Sequence, residues 1–292
     1  MAIAGALTTS ILIFDILTDP IIGYLSDRTV SRWGRRAPWM AIGALLLALG
    51  QIGIFGVPNF ASQMSTLIWV AVFFAISTLG FTMVAIPYGA SAGEMTYEPK
   101  ERSSLMGFRM AFASMGILIG GAIIPQLAGG TKDGHFFASA VIAPVIIIAI
   151  WASLWATRKA PKETAPSHAS LRSMALLVYQ NKPFMRLVLL YGLMTMAIAT
   201  ITAGLPFAAI YLIFDGEASF LSAMSKNLGT LSFLFAAFVI GAMCSQIFWV
   251  FLSNIFGKSA ALITGLSAYI MLLFILFYAL PSTNITTMFI LF

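Results

Sequence analysis

ILIFDILTDPIIGYL, residues 11–25, is an apolar run that holds two carboxylates, Asp15 and Asp19, four residues apart. No lysine or arginine lies within ten residues of Asp15. An ionised carboxylate at the centre of a bilayer costs about 2.5–3.5 kcal/mol on the most lenient insertion scale, so an unpaired pair calls for a compensating charge. Residues i and i+4 stack on one helix face, so both acids point the same way. Asp15 lies ten residues before Leu25, roughly 15 Å at ~1.5 Å per residue, in a hydrocarbon core ~30 Å thick. Two acids sharing one face near the midplane read as a cation site, the place where secondary transporters bind their coupling ion. The plainer alternative is a pair of structural carboxylates bonded to neighbouring helices.

Composition puts the rest of the chain in the same setting. The 292 residues are 60% hydrophobic and 9% charged, against ~25% charged in soluble domains. Mean hydropathy is +0.96. Apolar stretches long enough to span a bilayer occur at about 2–25, 39–57, 67–88, 104–124, 136–157, 184–214, 229–256 and 260–280, and a ninth begins near Thr286. The net charge of +6 sits in the loops between these stretches, so it reads as topology and excludes nucleic acid as the partner. The first, third, fifth and seventh loops carry 14 of the 16 basic residues, which places them in the cytoplasm. The single cysteine, Cys244, falls in an apolar run and rules out a disulfide framework. No Walker sequence, zinc spacing or nucleophile elbow is present, so no enzyme activity and no cofactor is expected.

With the first loop inside, the N-terminus lies outside, which predicts a missing upstream helix. The ninth span stops after about seven residues, which predicts a missing C-terminal part. The fifth loop, with Pro161 and Pro166, separates five spans from four. Restoring one helix gives six spans, a long basic loop and a second group, the two-halves arrangement of the major facilitator superfamily. The expected fold is therefore an all-α polytopic membrane bundle of that kind, truncated at both ends. Its parts are an N-terminal transmembrane half at 1–157, a cytoplasmic central loop at 158–183 and a partial C-terminal half at 184–292.

FDILTDPIIGYLSDRTVSRWGRRAPW, Phe14 to Trp39, resembles the signature joining helices II and III of the glycoside-pentoside-hexuronide:cation symporters. IPYGASAGEMTYEPKERSSLMGFRMAFASMG, Ile86 to Gly116, is similar to that family's run from helix IV into helix V, and WVFLSNIFGKSAAL, Trp249 to Leu262, to the loop between helices VIII and IX. The resemblance implies that the chain runs from family helix II into helix X, and that a multi-pass protein of the plasma (inner) membrane couples a sugar or glycoside to Na⁺ or H⁺. It further implies that Asp15 and Asp19 bind the cation, with Thr18 between them in the cation site and a helix IV threonine helping at Thr82. Two carboxylates and a hydroxyl suit a hard ion such as Na⁺. The melibiose permease branch of the family has an asparagine where this chain has Thr18, an acid where it has Ala85 and a tryptophan where it has Gly89, which speaks against a galactoside.

Other residues divide between function and scaffold. Gly23 permits close helix packing, and Asp27 faces Arg28, Arg32, Arg35 and Arg36, a cluster suited to latch a cytoplasmic gate. The same arginines also satisfy the positive-inside rule. Arg109 is placed either to snorkel or to reach the cavity, and the resemblance implies a sugar-binding arginine nearby. Tyr88, Phe81 and Trp249 are candidates for stacking on a sugar ring. Glu94, Glu98, Glu101 and Arg102 read as a solvated cluster. Gly116 and Gly120 read as a helix-contact pair, and Pro206 predicts a kink in the sixth span. His135 and His168 fall in predicted loops. Two readings compete with the sugar symporter: the same fold carrying a lysolipid, as relatives of this family in animals do, and an intramembrane aspartyl protease. The protease dyad normally draws its acids from two helices to share one proton, which two acids on one helix do not match.

Overall fold

Hydropathy at this level leaves the backbone one option in a bilayer, to satisfy its own polar groups within each segment, and the chain does so as helices. A computed structural model describes residues 2–96, 98–160, 171–208 and 228–279, and among them every regular element is helical. Ala2–Arg28 forms α1, Ala37–Phe55 forms α2 and Gln63–Met95 forms α3. The fourth span is composite, with α4 at Pro99–Leu118, a π-helical turn at Ile119–Ile123 and α5 at Ile124–Ala128. Lys132–Ala156 is α6, Leu171–Gln180 is α7, Lys182–Ala208 is α8, Leu228–Phe256 is α9 and Lys258–Ala279 is α10. Five stretches among the described residues are long and apolar enough to cross a membrane: 5–28, 37–55, 63–95, 104–128 and 132–159. Each of the eight predicted spans is helical over most or all of its described residues. The short α7 lies inside the predicted central loop, and the final predicted span and His168 fall outside the described residues.

The chain divides into two compact units, one of residues 1–106 and 127–174, the other of 107–126 and 175–292. The span expected at 104–124 therefore contributes most of its length to the second unit, whereas the sequence grouped it with the N-terminal half.

In the first unit α3 is the central element, with α1 and α2 against it and α6 beside α2. Glycine brings α2 and α3 together. A β-carbon at Gly50 would stand 2.5 Å from the Ser77 backbone nitrogen, and one at Gly80 would stand 2.3 Å from that of Leu47. Gly53 lies under the Phe73 ring in the same seam. This is the small-residue approach by which membrane helices gain packing without a hydrophobic drive. Gly23, expected to serve such an approach, does so less strictly, since a β-carbon there would meet Ile86 at an ordinary 3.5 Å.

α1 presents its polar side inward. Asp15, Thr18 and Asp19 are half-buried and Ile22 and Ser26 are buried, while Leu12, Ile13, Ile16, Leu17 and Ile21 are exposed. That arrangement inverts a soluble helix and suits one whose outer face meets lipid. Pro20 lies inside α1 and Pro87 inside α3.

In the second unit the π turn packs on α9. The Ile124 N–H bonds to the Ile119 carbonyl, five residues back, directly before Pro125, which has no N–H for the Gly121 carbonyl and whose ring crowds it. Gln246 of α9 donates to Ser114 of α4 at 3.2 Å, and Ser114 is buried. Gly116 and Gly120 do not make the expected close contact, because no described atom would lie within 4 Å of a β-carbon at either. α8 reaches Ala208 with Pro206 inside it, and the irregular outer part expected there falls outside the described residues.

Candidate functional site

Thirteen residues of α1 lie on each side of Asp15, so its carboxylate sits at the middle of the helix. α3 meets α1 along the inward face, and Thr82, 1% exposed, points into that contact. Its Oγ1 lies 3.0 Å from Asp15 Oδ1 and 3.1 Å from Asp19 Oδ1. A threonine hydroxyl has one hydrogen to donate, so it serves one of these carboxylates at a time. The two carboxylate oxygens stand no more than about 6 Å apart, as both distances to Thr82 require. At an effective dielectric of about 20, two unit charges at that separation repel by roughly 3 kcal/mol. A cation among the three oxygens, or a proton on one carboxyl, removes that repulsion. The donor set contains oxygen alone, which fits a hard monovalent ion or a proton and not a thiophilic metal. Among the described residues no group of three or more His, Cys, Asp or Glu side chains gathers as a metal site. The Thr18 hydroxyl donates to the Asp15 backbone carbonyl at 3.1 Å, so its hydrogen is committed within α1.

A second cluster forms at the end of α1 that the charge pattern places in the cytoplasm. Gly34, at φ 93°, turns the chain between α1 and α2, a left-handed conformation that favours glycine. That turn returns Arg35 and Arg36 toward the helix ends. Arg36 Nη2 lies 2.9 Å from Asp27 Oδ1 and 2.9 Å from Glu94 Oε1. Arg35 also pairs with Glu94, and its Nε is 3.9 Å from Asp27 Oδ1. Both arginines thus converge on one oxygen of each acid, and the Arg35, Arg36 and Glu94 side chains are only 11–13% exposed.

Glu94 corrects the expectation of a solvated cluster, because the first loop buries it between two guanidinium groups. Glu98, Glu101 and Arg102 are exposed, as expected. Of the four arginines grouped with Asp27, Arg28 lies over the Tyr24 ring at 4.2 Å and Arg32 over Trp33 at 5.5 Å. The cavity beside the latch is lined by Arg36, Tyr88, Ser91, Glu94, Ser153 and Thr157 among others. The ends of α3 and α6 and the first loop therefore meet on one side, as the alternation of charged loops predicts.

The aromatic candidates separate. Tyr88 lines the latch cavity, two helical turns along α3 from Thr82. Phe81 is exposed on the outside of α3, and the Trp249 ring lies over Gly265, packing α9 on α10. Arg109 is half-buried within the 107–126 segment of the second unit. His135, expected in a loop, lies in the first turn of α6 with its ring stacked on Phe55.

The sequence profile of MFS/sugar transport proteins matches residues 1–292. The chain belongs to the MFS/sugar transport protein family. Within this family of transporters it is similar to the inner membrane symporter YicJ of Escherichia coli (strain K12), 30% identical over 61% of the chain and 40% of that protein. It is likewise similar to the putative glycoside/cation symporter YagG of the same organism, 31% identical over 54% of the chain and 35% of that protein. The sodium-dependent lysophosphatidylcholine symporter 1 of Xenopus tropicalis is 31% identical over 40% of the chain and 22% of its own length. The chain spans two fifths or less of these relatives.

Proposed function

We propose that this MFS/sugar transport family chain forms part of a secondary active transporter that couples a cation, Na⁺ or H⁺, to symport of a sugar or glycoside by alternating access. Asp15, Asp19, Thr82 and Thr18 form the cation site. Arg109 and Tyr88 serve the substrate, and Gly23, Asp27 and the arginines of the first loop serve the cytoplasmic gate. The halves at 1–157 and 184–292, joined by the loop at 158–183, rock around the site in the inner membrane. The observation that carries this reading is one hydroxyl within hydrogen-bond distance of two carboxylates at the middle of a membrane helix. Two carboxylates in that setting leave negative charge uncompensated, and a bound cation offsets it.

The test is uptake by the full-length protein in proteoliposomes. Asp15→Asn with Asp19→Asn abolishes uphill accumulation while leaving insertion intact, and retained accumulation in a Na⁺ or H⁺ gradient refutes the assignment. The lysolipid reading keeps the cation site and changes the cargo, supported by the lysophosphatidylcholine relative. Uptake of lysophosphatidylcholine without competition by glycosides would select it. Both acids lie on α1, which supports neither a protease dyad nor its shared proton.

A further inference from the structure

Among the described residues α7 is the one α-helix that lies wholly within the predicted central loop. In LRSMALLVYQ, residues 171–180, the apolar positions 171, 174, 177 and 178 recur at helical spacing, while Arg172 and Gln180 fall on the opposite side with Leu176 between them. Leu177 is 67% exposed and Val178 46%, so no described element of the protein covers this face. One residue separates the end of α7 from α8, which carries the span predicted at 184–214. The Asn181 N–H donates to the Leu177 and Val178 carbonyls, and its Oδ1 accepts the Phe184 N–H, closing one helix and capping the next. Exposed apolar surface continues past that corner through Phe184 and Leu187 of α8. Lys182 and Arg186 border the junction and are exposed, and Arg172 stands at the other end of α7.

We propose that α7 is an interfacial helix, with its Leu177 and Val178 face seated in the acyl boundary of the cytoplasmic leaflet and its flanking basic residues held by anionic lipid headgroups. Short amphipathic helices with cationic borders bind in that way, combining apolar burial with attraction to anionic lipid. Continuity with α8 favours the bilayer over a soluble partner, since a ten-residue helix capped onto a span starts at the membrane edge. The arrangement fixes one end of the linker and makes its position depend on lipid charge.

The experiment uses the full-length protein with its native cysteines, Cys244 among them, replaced by serine. Single cysteines at positions 176, 177, 178 and 180 carry bimane, and the protein sits in nanodiscs of phosphatidylcholine with one quarter phosphatidylglycerol. Acyl-chain nitroxide lipid should quench the labels at 177 and 178 at least twofold more than those at 176 and 180. Removing phosphatidylglycerol, or combining Arg172→Glu with Lys182→Glu, should halve that contrast. A label at Leu187→Cys on α8 reports insertion in the same samples, which separates failure of α7 to bind lipid from failure of the protein to insert. Equal lipid quenching at all four α7 positions with Leu187→Cys quenched overturns the proposal. An undiminished contrast in neutral lipid overturns the headgroup assignment.

Discussion

Gly50 of α2 lies so close to Ser77 of α3 that the two backbones touch without side chains between them. Five residues further along α3 is Thr82, so the α2–α3 seam fixes the height and rotation at which the hydroxyl meets the α1 carboxylates. Gly50→Ala should destabilise the protein by about 1–3 kcal/mol, the usual cost of overpacking. Thermal melting in detergent checks this, with Gly5→Ala as the contrast, because a β-carbon at Gly5 meets nothing within 4 Å. That second variant should be neutral or slightly stabilising.

Thr82→Ala should raise the Na⁺ concentration for half-maximal uptake about tenfold, equivalent to ~1.4 kcal/mol, while Thr82→Ser stays near wild type. Initial uptake against Na⁺ at fixed pH measures both. If uptake follows a pH gradient and ignores Na⁺, the coupling ion is H⁺ and both variants should leave Na⁺ dependence flat.

Arg36→Gln and Glu94→Gln should each destabilise the protein by about 1–3 kcal/mol, because each leaves a buried partner with unbalanced charge. Their effects should be less than additive in a double-mutant cycle, with the coupling largely retained at high salt. Arg32→Gln, an exposed residue stacked on Trp33, should change stability by no more than about 0.5 kcal/mol.

The Gln246–Ser114 bond joins α9 to the fourth span. Ser114→Ala should lower the melting stability by about 0.6 kcal/mol, a common value for hydrogen bonds between membrane helices. Gln246→Ala should cost a similar amount, and adding it to Ser114→Ala should cost little more. Full additivity would show that the bond is not shared.

Spans were legible because hydropathy acts over about twenty residues and averages out local detail. The acids were legible because Asp15 and Asp19 are expensive where they stand. Thr82 was different. A threonine in an apolar helix carries no signal of its own, and its place came from resemblance to a family, since 67 residues separate it from Asp15. Glu94 was misread for a related reason. Its neighbours Glu98 and Glu101 are solvated, and only the turn at Gly34, 60 positions earlier, brings two guanidinium groups to it. Arg35 and Arg36 follow that turn and both pair with Asp27 and Glu94, a placement that charge counting does not give. The π turn escaped notice because Pro125 is as compatible with a simple kink.

Pro20 follows Asp19 directly and has no N–H to offer the Ile16 carbonyl, which lies one residue from Asp15. α1 therefore lacks a rung of its ladder within the stretch that carries both its charges, and a rod with a missing rung bends there first. Pro87 removes a rung from α3 at the Met83 carbonyl, one residue from Thr82. Both missing rungs therefore fall beside the three oxygens, and a bend at either proline alters the spacing between Asp15, Asp19 and Thr82.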